Sequence, residues 1–137
     1  MDLNLKNKIA LITGASKGIG AAIAKTFAAE GVNLYLTARN NKQLETLKIE
    51  LKKKYSVEVK TIPLDLTEAD SQKILFENCK DINILINNAG DIPSGSLFDI
   101  DEESWRRGWE LKVFGYINLC RGFYPIIKKN GGGVIIN

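Results

Sequence analysis

The sequence predicts an α/β fold in which a doubly wound parallel sheet carries helices on both faces. Apolar, often β-branched runs alternate with amphipathic segments from Lys8 to Ile136. The amphipathic segments carry helix start and stop signals. The first apolar run also breaks at a glycine-rich turn that opens directly into a helix. Repeated βαβ units join parallel strands by right-handed crossovers. With 137 residues the chain has the size of one domain with one core, and it shows no internal repeat and no linker.

The elements follow in order along the chain. Lys8–Thr13 (KIALIT) reads as the first strand. From Gly18 the pattern turns helical, with Ile19, Ile23 and Phe27 at i, i+4 and i+8 and Gly31 as the stop signal. Val32–Thr37 is the second strand, and Asn41–Lys54 is a charged helix with Leu44, Leu47 and Leu51 on one face. Val57–Ile62 is the third strand. Thr67-Glu68-Ala69-Asp70 resembles a capping box and would open a third helix reaching about Asn78. Ile82–Ile86 is the fourth strand, followed by a loop over 87–100. Asp101 caps a long helical stretch running towards Lys128, where Pro125 and the glycines at 131–133 indicate a helix running out. Val134–Ile136 reads as a fifth strand buried on both faces.

Composition narrows the function. The net charge of +3 is mild, and the one basic cluster, Lys52-Lys53-Lys54, falls in the last turn of a helix, where it complements the negative dipole end. That argues against a nucleic-acid surface. No apolar run reaches the roughly 20 residues needed to span a bilayer, and the first residues lack the pattern of a signal peptide. A cytoplasmic protein without membrane partners is expected. Cys79 and Cys120 have no metal-ligand spacing and read as reduced, partly buried thiols, so no metal site is expected. The chain has no histidine, so acid–base chemistry must use another group.

The turn itself reads Thr13-Gly14-Ala15-Ser16-Lys17-Gly18-Ile19-Gly20. Gly14 permits a tight turn off the strand, Gly18 lets backbone approach a pyrophosphate, and Gly20 lets helix and strand pack closely. The helix N-terminus then offers free N–H groups and a positive dipole end to an anion. The G-x-x-x-G-x-G spacing differs from the common G-x-G-x-x-G, and it lacks the Gly-Lys-Ser/Thr ending of a P-loop. A glycine turn alone is weak, but this one stands in the required strand–turn–helix context.

"TGASKGIG", "LDLTEAD" and "NNAG", in this order, resemble the short-chain dehydrogenase/reductase family over about Lys8–Asn137. The resemblance implies a Rossmann-like sheet of five strands in the order 3-2-1-4-5, ending after its fifth strand, with residues 1–137 forming a single NAD(P)-binding domain. It assigns Gly14, Gly18 and Gly20 to the pyrophosphate turn and places Ser16 and Ile19 against the cofactor. Asp65 would accept from the adenine amino group with Leu66 nearby. Asn88, Ala89 and Gly90 would line the cofactor after the fourth strand, and Asn87 would brace the sheet.

The cofactor is read from the end of the second strand. An NAD site usually carries a carboxylate there, hydrogen-bonded to the ribose diol and repelling a 2′-phosphate. Here the sequence is Leu36-Thr37-Ala38-Arg39-Asn40. Arg39 offers a planar fork suited to phosphate, and Lys17 could add a cation from the glycine turn. These features resemble members that prefer NADP(H), with NAD(H) as the second candidate.

In this family a tyrosine transfers the proton, a lysine lowers its pKa and holds the nicotinamide ribose, and a serine orients the substrate oxygen. An unperturbed tyrosine titrates near 10 and needs such help. Tyr124 and Lys128 have the Tyr-x-x-x-Lys spacing but precede the fifth strand, whereas the family's pair follows it. The expectation is therefore that serine, tyrosine and lysine all lie beyond Asn137. Lys112 stands where the family usually carries an asparagine of a proton relay, and it reads either as a site lysine or as a solvated one. The resemblance implies an NADP(H)-dependent oxidoreductase acting on a carbonyl or alcohol, with this chain as its cofactor-binding part. Residues 91–98 would form part of the substrate rim, and homo-oligomers would form through the fourth helix and one after the fifth strand. The alternative is a non-catalytic nucleotide-binding or interaction module from a truncated gene.

Overall fold

The computed structural model describes residues 3–137. Five parallel strands lie in the order β3-β2-β1-β4-β5. They are β1 (Ile9–Thr13), β2 (Asn33–Ala38), β3 (Val59–Pro63), β4 (Ile84–Ile86) and β5 (Val134–Ile136). The helices between them are α1 (Gly18–Ala29), α2 (Asn41–Lys54), α3 (Ser71–Asn78), α4 (Glu102–Trp109) and α5 (Gly115–Lys129), the last two joined by a π-helical turn over Glu110–Phe114. Thr13 pairs with Thr37 and Ile12 with Ile86, so the carboxyl ends of the three central strands meet along one edge. β1 sits at the switch point, where the chain order reverses and where ligands bind in such sheets.

Strand alternation sends successive side chains to opposite faces and builds two cores. Ala10, Ile12, Leu34, Leu36, Ile84 and Ile86 join Ala24 and Ala28 of α1 and Leu44, Leu47 and Leu51 of α2. Leu11, Tyr35 and Leu85 face the other way, against Leu75 of α3 and Leu119, Phe123 and Ile127 of α5. Phe76 and Phe123 meet edge to face with ring centroids 4.9 Å apart. Cys79 is fully enclosed in this second core, and burial, aided by Asp81, pushes its thiol up to about 12.

Several expectations are corrected. The buried stripe of α1 is Gly20, Ala24 and Ala28, not Ile19, Ile23 and Phe27. Small residues let the helix lie close on the sheet, leaving Ile23 and Phe27 partly covered and Ile19 73% exposed. The stop signal at Gly31 holds: α1 ends at Ala29, with Glu30 as its C-cap. Gly31, at φ +77, donates to the Ala28 carbonyl while Val32 donates to Phe27, the Schellman pattern. Thr67–Asp70 is not a capping box. The Asp65 carboxylate accepts from both the N–H and the hydroxyl of Thr67, closing a local turn, so α3 begins only at Ser71.

Four strands are shifted or shortened; β1 begins at Ile9 rather than Lys8, and the other three are set by their partners. The Glu58 N–H donates to the Asn33 side chain instead of entering the ladder, so β3 begins at Val59 and not at Val57. β4 begins at Ile84 because the Ile82 carbonyl accepts from Asn130, and the Asn83 side chain accepts from the Ile9 N–H. β2 runs to Ala38, which pairs with Pro63. Asp101 does cap α4, accepting from Ser104 at 2.7 Å. Pro125 does not end α5. It lies inside the helix at an exposed position. β5 is an edge strand rather than one buried on both faces: among the described residues only β4 pairs with it, and Val134 and Ile136 are about half exposed.

Candidate nucleotide-binding cleft

The cleft is built where β1 turns into α1. Gly14 at φ +64 and Gly18 at φ +57 occupy left-handed conformations that other residues adopt only under strain. Open space lies in front of Gly18, while a Cβ on Gly20 would overlap the Gly14 carbonyl oxygen and lie 2.6 Å from the Asn88 amide nitrogen. Gly18 therefore leaves room for something outside the protein, and Gly20 lets the helix start lie against its own turn. Lys17, the N-cap residue of α1, makes no side-chain cap, and the first turn carries no acidic residue. That helix terminus is left available to an anion.

Thr13, which the motifs did not single out, joins the two halves of the cleft. Its buried hydroxyl accepts from the N–H groups of Asn88 and Ala89, both at 2.9 Å. The Asn88 amide returns two bonds, to the carbonyls of Thr13 and Gly14 at 3.0 and 3.2 Å. The sequence signal was available in hindsight: Thr13 is the one hydroxyl on an otherwise apolar strand, at its carboxyl end. Asn87 is buried, donates to the Asn137 side chain at 2.7 Å, and takes its backbone partner from Ile136, so it ties β4 to β5.

A cavity of about 500 Å³ opens over this turn. Gly14, Ser16, Lys17, Gly18 and Ile19 line one wall, and Arg39 stands at the end of β2. Asp65 and Leu66 after β3, and Asn88, Ala89 and Gly90 after β4, complete it. The structure thus brings together every proposed cofactor-site residue except Gly20, which packs behind the turn. Ala38, Asn40, Gln43, Leu64 and Leu111 also line the cavity and were not foreseen. Asn40 hides behind a structural task, since its side chain caps α2 by accepting from Gln43 at 3.0 Å. Leu111 comes from the distant π-helical turn, which no local pattern connects to the glycine turn.

The cleft's electrostatics are mixed. Arg39 reaches Asp91 with Nη2–Oδ2 at 3.3 Å, and Arg107 approaches the same oxygen at 3.9 Å. Burial alone would raise the Asp65 carboxyl, but the two Thr67 hydrogen bonds and the charges of Arg39 and Arg107 outweigh it and hold it below its ordinary value. Lys112 lies in the π-helical turn with its chain against Gly90, and its Nζ sits 6.0 Å from the Tyr116 ring centre. It is exposed and lines a neighbouring apolar hollow with Trp105 and Trp109, not the main cleft. Tyr124 and Lys128 are exposed on α5 and line neither cavity. Among the described residues no three side chains of metal-ligating type cluster, and no helix is long and apolar enough to cross a membrane.

A parallel sheet with a glycine turn at its switch point, opposed by an asparagine-bearing loop, defines a class of doubly wound α/β proteins with a nucleotide-type crevice. Residues 8–137 match the profile of the short chain dehydrogenase family, and the chain belongs to that family. It is 33% identical over 137 residues to the uncharacterized oxidoreductase YvaG of Bacillus subtilis, covering 98% of this chain and 52% of that protein. It is likewise 33% identical over 136 residues to dehydrogenase/reductase SDR family member 4 of Caenorhabditis elegans, covering 96% of this chain and 52% of that one. Among solved structures, L-sorbose reductase from Gluconobacter frateurii, complexed with NADPH and L-sorbose, superposes with a TM-score of 0.93 at 35% identity, covering 98% of this chain and 53% of that one. A short-chain dehydrogenase from Sphingobium yanoikuyae in complex with NADPH gives a TM-score of 0.87 at 34% identity, covering 93% and 51%. The chain therefore spans about half the length of these relatives.

Proposed function

We propose that this chain forms the NADP(H)-binding part of an oxidoreductase that interconverts a carbonyl and an alcohol. The observation that carries the reading is the cleft itself, with an uncapped helix start, open space before Gly18 and a guanidinium at the end of β2. Two structural relatives were solved with NADPH, which supports the same cofactor here. In this reading the backbone of Gly14–Gly20 and the α1 N-terminus hold the pyrophosphate. Arg39 and Lys17 neutralise the 2′-phosphate, and Asp65 and Leu66 border the adenine. Asn88, Ala89 and Gly90 wall the ribose and nicotinamide side. The cofactor would supply hydride transfer, and the protein's part is to orient it and exclude water.

The proton-transfer serine, tyrosine and lysine are proposed to lie outside residues 1–137. Tyr124 and Lys128 do not line the cleft, which supports this placement. Lys112, beside Gly90, is proposed as a cation near the relay position. The natural ligands are small carbonyl or alcohol compounds, and the exposed faces of α5 and β5 are proposed to meet a second copy of the chain.

Fluorescence titration tests the reading. NADPH is expected to bind more tightly than NADH, and Arg39→Ala is expected to weaken NADPH by about tenfold or more, the loss of a charge-assisted contact, with NADH little changed. Binding of neither nucleotide overturns the proposal. Ketone reduction by residues 1–137 alone overturns the placement of the catalytic groups.

A further inference from the structure

Arg39 does not stand free at the end of β2. β2 and β4 flank β1, so the loops after them are separated by two strand spacings, about 10 Å. The Arg39–Asp91 ion pair closes that gap, joining the loop after β2, at the edge of the cleft, to the loop after β4. Asp91 thus takes the Nη2 group that the cofactor-selecting role of Arg39 requires. The same Asp91 oxygen is 3.9 Å from Nη2 of Arg107, on α4. A second cation is therefore already in place to receive the carboxylate when Arg39 leaves it.

We infer that Asp91 is a positioning residue that sets selectivity between NADPH and NADH by competing with the 2′-phosphate for Arg39, and that Arg107 eases the exchange by holding Asp91 once Arg39 is released. The inference rests on the reading of the cleft as an NADP(H) site. The pair holds Arg39 to the loop after β4. A dinucleotide with a 2′-phosphate replaces the carboxylate with a stronger anion, whereas NADH gives Arg39 no comparable partner. The carboxylate therefore reduces the advantage that Arg39 confers on NADPH, and Arg107 restores part of it.

The test measures dissociation constants of NADPH and NADH for the wild type and five variants, Arg39→Ala serving as the reference for the double variant. Asp91→Asn keeps the shape and removes the charge. It is expected to tighten NADPH by roughly two- to fivefold, the range for an exposed ion pair, with NADH unchanged. Asp91→Glu keeps the charge and is expected to retain the wild-type ratio. Arg107→Gln is expected to shift the ratio towards NADH, the opposite sign. In an Arg39→Ala background, Asp91→Asn is expected to have no selective effect, because the coupling runs through the guanidinium. An unchanged ratio in Asp91→Asn, equal tightening of both nucleotides, or an effect that persists without Arg39 each overturns the inference while leaving the NADP(H) reading intact. Failure of the wild type to bind NADPH overturns both.

Discussion

Gly20 shows how one atom can be excluded by geometry. A Cβ there meets backbone at the Gly14 carbonyl as well as the Asn88 amide, and backbone cannot rotate away as a side chain can. Gly20→Ala is expected to cost about 1–3 kcal/mol, read as a lower Tm, and to weaken nucleotide binding through the displaced turn. Asp65 provides a test in pH. Its folded pKa is depressed, so its contribution to stability is present above the ordinary value of 3.8 and is lost as pH falls through the lower folded value. Thr67→Ala removes two of the bonds that depress it. The Tm difference between wild type and Thr67→Ala should be greatest above about pH 5 and shrink on acidification. A difference that stays constant from pH 6 to pH 2 would show that the bonds do not act through the carboxylate.

At the scale of elements, helix ends and helix interiors behave differently. α2 begins on Asn40, whose side chain closes the first turn, and ends in three lysines that suit the dipole. Asn40→Ala is expected to lower stability by about 1 kcal/mol in urea denaturation, with the cleft wall loosened alongside it. The long helical stretch after Asp101 was legible as one segment, and the structure interrupts it with a π-helical turn at Glu110–Phe114 that shifts the register of the residues after it. That turn matters for the site, since it brings Leu111 to the cleft wall and Lys112 beside Gly90. Pro125 misled as well: proline's exclusion from helices is an average cost, and α5 accommodates it at an exposed position.

The whole molecule is asymmetric in its covering. Both faces of the central strands are packed, yet the β5 edge and the outer face of the last helices expose Trp109, Phe114, Ile117, Val134 and Ile136. An uncovered strand edge invites pairing with another chain. Sedimentation of residues 1–137 is expected to show species larger than the monomer. Val134→Lys combined with Ile136→Lys should reduce them with little loss of stability, since both side chains are about half exposed. A strictly monomeric wild type at high concentration would remove that surface as a meeting point.

The sequence by itself determined the class of fold, the order of its elements, the glycine turn and most residues of the cleft wall. Those features are local: hydrophobic period, turn chemistry and motif residues are properties of neighbours along the chain. Tertiary structure decided what depends on approach between distant segments. It made Gly20, Ala24 and Ala28 the buried stripe of α1, because a close-packed sheet admits only small side chains there. It set the Thr13 hydroxyl under Asn88 and Ala89, across 75 and 76 positions of sequence. It also placed Asp91 on Arg39, a side-chain contact across 52 positions that no local pattern signals.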